Sequence, residues 1–598
     1  MKLNPFKLDE LISSLALLLM AIIPVVEILA RPIFGKGIEN APILVQHFGL
    51  VMSMFGAIAA YRFGHLSSIG VIFYALKVPA RLLSSLICGL LCWACWHFVS
   101  TERSAHQMLA YSLPIWIFQL VMPVGFLLLS WQIITQGLQS NLPKAMSILG
   151  VTAISYLLFQ YLESNAGSMG SMGFVLVVLV VMFLGGAPIF SIIAALALGL
   201  FWQEGLPLSS VALSHYQITV NASLPALPLF TLAGLVFAST GSAKRLGQVF
   251  MAMFGTGVRG TVFAATVLCS FFTAFTGGSG VTILALGGLL LQLLSDTGYS
   301  KKKGISLVTS ASALGVLLAP SVPLIMYAII ARVPINAMFL AGIVPAVVMV
   351  LSLLVFGGYL KQDHQVASHE HVHVFSWLKL RHALWDAKWE IFTPFVAIGS
   401  LVSGFATPTE SAAITAVYAL VTQMIFNQEL SVDQFKQSLL KCTQIIGGVM
   451  LVLGMALGMT NYLIDAGIPD LAIQWVQSIT SNKYVFLLAL NVFLFFAGAL
   501  MEIYAAIVVL VPLLLPLAMS YDIHPIHFGI IFLANMEMGF LCPPAGMNIY
   551  FASAVFNQPL KEVAISIWPA LIAIFVGTVI ISWLPILTIA LPEFFNMV

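Results

Sequence analysis

Phe275-Thr-Gly-Gly-Ser-Gly-Val-Thr-Ile-Leu-Ala-Leu-Gly-Gly-Leu-Leu290 is apolar enough for a membrane interior, yet glycine and hydroxyl groups interrupt it where a plain spanning helix would be uniform. A second stretch, Gly498-Ala-Leu-Met-Glu-Ile-Tyr-Ala-Ala-Ile-Val-Val-Leu-Val-Pro-Leu513, aligns with it without a gap. At the same offset Ala319-Pro-Ser-Val-Pro-Leu-Ile-Met-Tyr327 falls on Cys542-Pro-Pro-Ala-Gly-Met-Asn-Ile-Tyr550. Upstream, Gly186-Ala-Pro-Ile-Phe-Ser191 pairs with Ala406-Thr-Pro-Thr-Glu-Ser411. Each half therefore reads as a Pro-bearing helix, a Gly-rich apolar hairpin and a helix broken by proline. Weak internal repeats of this form are how many secondary transporters are built.

The surroundings agree. Of 598 residues, 60% are hydrophobic and 8% charged, against about 25% charged in a soluble domain. A bilayer-spanning helix needs about 20 apolar residues, and runs such as 11–30, 174–201, 262–294 and 563–591 supply them. The pattern predicts an all-α polytopic membrane protein, since barrel strands would alternate over segments of about ten residues. The first run is too long for a signal-peptide core and lacks a small-residue cleavage site, so it reads as the first membrane helix. The lipid bilayer is thus a partner. The net charge of +2 says little about partners, and no basic stretch interleaved with aromatics points to nucleic acid, so none is expected. All six cysteines lie in apolar segments, and Cys92-x-x-Cys95 reads as helix packing.

The chain divides at sequence level into a four-helix membrane domain at 1–143, a connecting helix and link at 144–172, a first repeat at 173–360, a linker at 361–392 and a second repeat at 393–598. Cytoplasmic loops are rich in Lys and Arg. Lys301, Lys302 and Lys303 follow the first hairpin, whereas its counterpart, Tyr521-Asp-Ile-His-Pro-Ile-His527, has neither. The two repeats are therefore expected to be inverted. Lys2, Lys7, Arg62, Lys77 and Arg81 place the N-terminus and the second loop inside. Lys361, Lys379, Arg381 and Lys388 make the linker cytoplasmic. Its histidines, His364, His369, His371, His373 and His382, read as a solvated loop rather than a metal tract.

Irregular backbone at membrane depth survives only where it is buried in protein or lines a cavity. Pro320 and Pro323 in one helix, and Pro543, Pro544 and Gly546 in its partner, free backbone carbonyls and amides. So do Gly277, Gly278 and Gly280 in the first hairpin. Freed carbonyls suit Na⁺, and half-helix N-termini suit carboxylates. The hydroxyls of Thr276, Ser279, Thr282 and Ser321 cluster at the same places. Gly315, Val322, Gly498 and Asn548 complete the candidate ion- and substrate-binding set. Glu502 is an acid within an apolar run, at the repeat position of Ser279, and intramembrane acids are costly and functional. Glu410, in Thr407-Pro-Thr-Glu-Ser411, reads as an N-terminal helix cap. Asp465 and Asp470 flank Gly467 as helix-end turn residues. No P-loop exists, Gly241-Ser-Ala-Lys244 lacking the spacing, so neither ATP use nor an ATPase subunit is expected. No nucleophile elbow or H-E-x-x-H string points to an enzyme.

These strings resemble the tripartite ATP-independent periplasmic (TRAP) transporters, in the form with small and large membrane subunits fused. The resemblance rests on Leu227-Pro-Leu-Phe-Thr-Leu-Ala-Gly234, residues 275–288 and 319–327, Phe339-Leu-Ala-Gly-Ile-Val-Pro345, Phe405-Ala-Thr-Pro-Thr-Glu-Ser-Ala-Ala413, His524-Pro-Ile-His-Phe-Gly529 and residues 542–550. Ala60-Tyr-Arg-Phe-Gly-His65 and residues 113–128 carry the small-subunit match. The resemblance implies an elevator mechanism, Na⁺ as coupling ion with no other cofactor, a periplasmic binding protein that delivers a small organic acid, and a multi-pass place in the bacterial inner membrane. It puts Na⁺ at Thr276, Ser279, Ser321, Glu502 and Cys542. Glu502 stands where the family commonly has Asp, Cys542 where it has Thr, and Gly278 where it has Ser. A binding-protein-independent sodium/dicarboxylate symporter is the competing reading, and the scaffold-like N-terminal part argues against it.

Overall fold

The computed structural model describes residues 8–35, 37–64, 66, 68, 73–135, 141–165, 167, 172–255, 257–361, 376–501, 503–542 and 546–597. Among these, eleven helices are long and apolar enough to cross a membrane, twelve if the bent pair Ala226–Ala238 and Ser242–Phe254 counts as one span. The chain forms two compact units, residues 1–228 with 439–469, and residues 229–438 with 470–598.

In the first unit, Leu8–Phe34, Ala41–Arg62, Tyr74–Ser104 and Ile115–Thr135 are long and apolar enough to span, and Asn141–Ser164 follows. Without water at membrane depth, these helices associate through small residues and interhelical hydrogen bonds. Ser85 and Ser130 donate to each other's carbonyls at 2.9 and 2.8 Å. Gly56 lies so close to Thr443 and Gly447 of the long helix that neither glycine has room for a Cβ. Arg62 pairs with Asp9 and, at 2.7 Å, with Glu10, closing the end of the first two helices. Cys92 and Cys95 are free thiols on the third span.

Two runs that look continuous by hydropathy are broken. Residues 174–201 form Met172–Leu184 and Ile189–Gln203, because Gly186 adopts φ 75° and Pro188 caps the next helix. Residues 563–591 divide between Leu560–Trp583 and Ile586–Phe594, where Leu584 leaves the helical conformation (φ −119°, ψ 81°) before Pro585. An apolar average cannot see a break made by local backbone chemistry.

The second unit holds the repeated elements. Val258–Thr276 and Ser279–Asp296 form the first hairpin; Lys483–Leu500 and Ile503–Met519 form the second. Lys301–Ala311, a 3₁₀ turn at Leu314–Leu317 and Val322–Ala331 are the first broken helix; Pro525–Gly539 and Met547–Phe556 are the second. Packing between repeats is reciprocal. The second arm of the first hairpin lies on Met547–Phe556, and the second arm of the second hairpin lies on Val322–Ala331. Thr407 and Glu410 form a reciprocal capping box on Pro408–Val421, with the Thr407 amide donating to Glu410 Oε2 at 2.8 Å. Gly467, at φ 66°, ends the long helix Val432–Asp465 before Ile468–Ile479 begins.

Inverted repeats require the loops after the two hairpins to face opposite sides. Single cysteines at exposed Lys302 and Asp522 should react with an impermeant maleimide only from the cytoplasm and only from the periplasm, respectively. Labelling of both from one side would refute the inversion.

Candidate functional site

The first hairpin turns at Gly277 and Gly278. Gly277 caps the incoming helix at φ 69°, a left-handed conformation that L side chains rarely adopt. A Cβ there would also lie 2.6 Å from Val322 Cγ2, so the tip sits directly against the restart of the first broken helix. Gly278 is extended, and Ser279 opens the outgoing helix.

Four buried polar groups gather at this tip. Thr273 donates to Thr282 across the hairpin at 2.6 Å, and Thr276 donates to the Gly278 carbonyl at 3.3 Å. Ser279 Oγ donates to Asn548 Oδ1 at 2.7 Å. Asn548, at the start of Met547–Phe556, donates in turn to the Thr309 carbonyl at 3.4 Å. The second hairpin arrives through Tyr504, whose hydroxyl donates to the Gly277 carbonyl at 2.9 Å. Both hairpins and both broken helices therefore contribute to one buried locus. Gly280 admits the Phe551 ring and Gly315 presses on Ser270 and Thr273, each without room for a Cβ.

Other candidates sit in structural roles. Ser321 caps Val322–Ala331, accepting from the Leu324 amide at 3.4 Å and donating to the Val316 carbonyl, so its hydroxyl is committed within its own helix break. Pro320 follows a cis peptide bond in that break. The Cys542 carbonyl closes the second break, accepting from the Gly546 amide at 2.9 Å. Gly498 packs on Gly539, joining the second hairpin to the second broken helix. Glu502, Pro543 and Pro544 lie outside the described residues, as do His364, His369, His371 and His373; His382 is exposed.

A residue that the sequence reading passed over is Glu537. It is fully buried near the end of Pro525–Gly539, and neither carboxyl oxygen has a hydrogen-bond donor among the described residues. The Leu317 amide, in the 3₁₀ turn of the first broken helix, approaches it without reaching hydrogen-bond geometry. The signal was available, since Glu537 is the one acid in the apolar stretch 525–541, and the argument applied to Glu502 applies equally here. Tyr504 and Asn548 stand in the repeated strings, but their partners are 227 and 269 residues away.

A polar ladder anchors the second hairpin. Asn535 donates to Asn491 at 2.8 Å, and Asn491 donates to Ser582 at 2.9 Å. His527 bonds Thr588 at 2.9 Å.

Among the described residues no group of three or more His, Cys, Asp or Glu side chains is placed to hold a metal. A hard monovalent cation at the hairpin tip would draw on hydroxyl, amide and carbonyl oxygens, which the tip supplies.

Residues 176–587 match the family model described as the tripartite ATP-independent periplasmic transporter, DctM component. Residues 20–140 match that of the DctQ component. The isethionate TRAP transporter permease protein DctMQ of Oleidesulfovibrio alaskensis is 29% identical over 492 residues, covering 81% of this chain and 76% of that one. The C4-dicarboxylate TRAP transporter large permease protein DctM of Pseudomonas aeruginosa is 30% identical over 389 residues, covering 65% and 90%. The sialic acid TRAP transporter large permease protein SiaM of Vibrio cholerae is 28% identical over 379 residues, covering 63% and 87%.

Proposed function

The chain belongs to the tripartite ATP-independent periplasmic transporters, with DctQ and DctM components in one polypeptide, and from that premise we propose that it imports a small organic anion on the Na⁺ gradient. It is a multi-pass inner-membrane permease and not an enzyme. Family membership brings a periplasmic substrate-binding protein as partner, and the anion is received from it. The relatives named for isethionate, C4-dicarboxylates and sialic acid support an acidic substrate.

The observation that carries the Na⁺ reading is the convergence at the first hairpin tip. Ser279, Asn548, Thr276 and the Gly277 carbonyl bring neutral oxygens together in a buried place. Ser279 opens one half-helix and Val322 another, and helix N-termini favour anions. Oxygen-rich breaks for the cation beside helix N-termini for the anion couple the two, because each neutralises the other in a medium that screens poorly. Glu537 adds a carboxyl beside the first break, and a lone buried carboxylate needs a neutralising partner. The elements that hold the site move together in an elevator cycle.

The test is uptake into proteoliposomes of the whole permease, with its binding protein and that protein's ligand. Replacing Na⁺ by K⁺ at constant membrane potential should abolish uptake, and so should omission of the binding protein. Uptake driven equally well by a proton gradient alone would overturn Na⁺ coupling. Full uptake without the binding protein would favour the sodium/dicarboxylate symporter reading.

A further inference from the structure

The second unit also carries a basic, tryptophan-rich surface that the transport site does not use. Trp377–Asp386 follows the linker and runs into Lys388–Val402 through Ala387. Leu380, Ala383 and Ala387 turn inward and are buried, with Ala383 and Ala387 packed on Val249 of Ser242–Phe254. The opposite stripe is at 377, 381 and 385, one face of the first helix by their spacing of four, and continues at 388 and 392, spaced four apart on the second. That stripe lines a surface cavity of about 350 Å³. Trp377 and Trp385 are 66% and 69% exposed and Phe392 is 59% exposed, which aqueous surroundings would penalise.

The cations are placed with the rings. Lys388 Nζ lies 4.0 Å from the centre of the Trp385 ring and 5.4 Å from that of Trp389. Arg381 completes the cavity wall. Among the described residues neither Arg381 nor Lys388 is in an ion pair. The nearby acids do not alter this: Glu390 is taken by Arg245, and Asp386 is exposed on the same helix. An amphipathic helix with aromatic residues and an unpaired cationic rim fits the headgroup boundary of a bilayer, and Lys379, Arg381 and Lys388 mark the side where anionic lipids lie.

We propose that this cavity is a binding site for an anionic phospholipid of the inner leaflet, its phosphodiester held by Arg381 and Lys388 and its glycerol and upper chains laid on Trp377, Trp385 and Phe392. Arginine and lysine supply the charge-assisted hydrogen bonds that a phosphate takes, and the indoles add face contacts beside the cations. The lipid braces the helix pair against Ser242–Phe254.

The experiment uses the full-length protein purified in detergent and titrated with phosphatidylglycerol, read by native mass spectrometry and by quenching of tryptophan fluorescence with a brominated-chain version of the same lipid. Wild-type protein should retain phosphatidylglycerol at least fivefold better than phosphatidylcholine. The double variant Arg381→Gln/Lys388→Gln should lose that preference and most of the quenching. Lys379→Gln, off the stripe, should bind as wild type does, which separates a built site from general surface charge. An equal loss in Lys379→Gln, equal retention of both lipids by the wild type, or unchanged binding in the double variant would each overturn the proposal. Displacement of the lipid by inorganic phosphate at equal concentration would overturn it too, since that identifies a free-anion site.

Discussion

Glu537→Met is expected to cut transport at least tenfold while leaving the protein as stable as wild type or more so. The two effects separate because the carboxyl is fully buried and has no described donor. An unsatisfied buried polar group costs about 1–3 kcal/mol, and methionine, as at neighbouring Met536 and Met538, carries no such penalty. A group kept against its own stability cost is what a functional site looks like. Glu537→Gln, which keeps the size and removes the acid, should also lose transport with normal membrane levels. Uptake and thermal melting of the purified protein, measured in parallel, decide the matter. Wild-type uptake in Glu537→Met would show that the acid is dispensable and leave the site to hydroxyls and carbonyls.

Arg245→Ala should be the most destabilising single change in the second unit outside the transport site. Arg245 Nε donates to Glu390 Oε1 at 3.0 Å and Nη1 donates to Glu429 Oε1 at 2.5 Å. Glu390 is 2% exposed, and its Oε2 has no described partner. Removing the guanidinium leaves that buried carboxylate without a cation, with only the Gln423 and Asn427 amides still donating to it; deleting one member of a buried pair costs about 3–5 kcal/mol. Arg245→Met combined with Glu390→Gln should restore most of the melting temperature, because no buried charge is then left unpaired and the remaining carboxylate, Glu429, is exposed. Melting of Arg245→Ala at the wild-type temperature would rule the cluster out as a stabilising element. Burial raises the Glu429 carboxyl, but Arg245 and the Gly241 amide outweigh it and hold the group below the ordinary carboxylate range. A group lowered in the folded state contributes stability at neutral pH that is lost as pH falls through that lowered value. The wild type should therefore lose part of its advantage over Arg245→Ala in acid.

Much of the architecture was legible because it is written locally. The two hairpins announce themselves as apolar runs with glycine at the turn, and Gly277 does adopt the left-handed conformation that only glycine takes without strain. The broken helices follow from Pro320 and Pro323, and the restart at Val322 is capped by the adjacent Ser321. The Glu410 cap depends on residues three apart. The misread run 174–201 shows the limit of averaging, since a stretch of this hydropathy hides the turn at residues 185–188.

By itself the sequence determined the membrane class, the repeat and the breaks at the hairpin tips and proline-bearing helices, because glycine and proline act on their own neighbours. Tertiary structure alone decided which breaks meet. Ser279 finds Asn548 across 269 residues, Tyr504 finds the Gly277 carbonyl across 227, and Arg245 finds Glu390 across 145. It also decided that Glu537 sits beside the first break with no donor among the described residues. The reason is that a buried polar group must find its partner inside the protein, and which partner lies within reach is set by how whole helices pack.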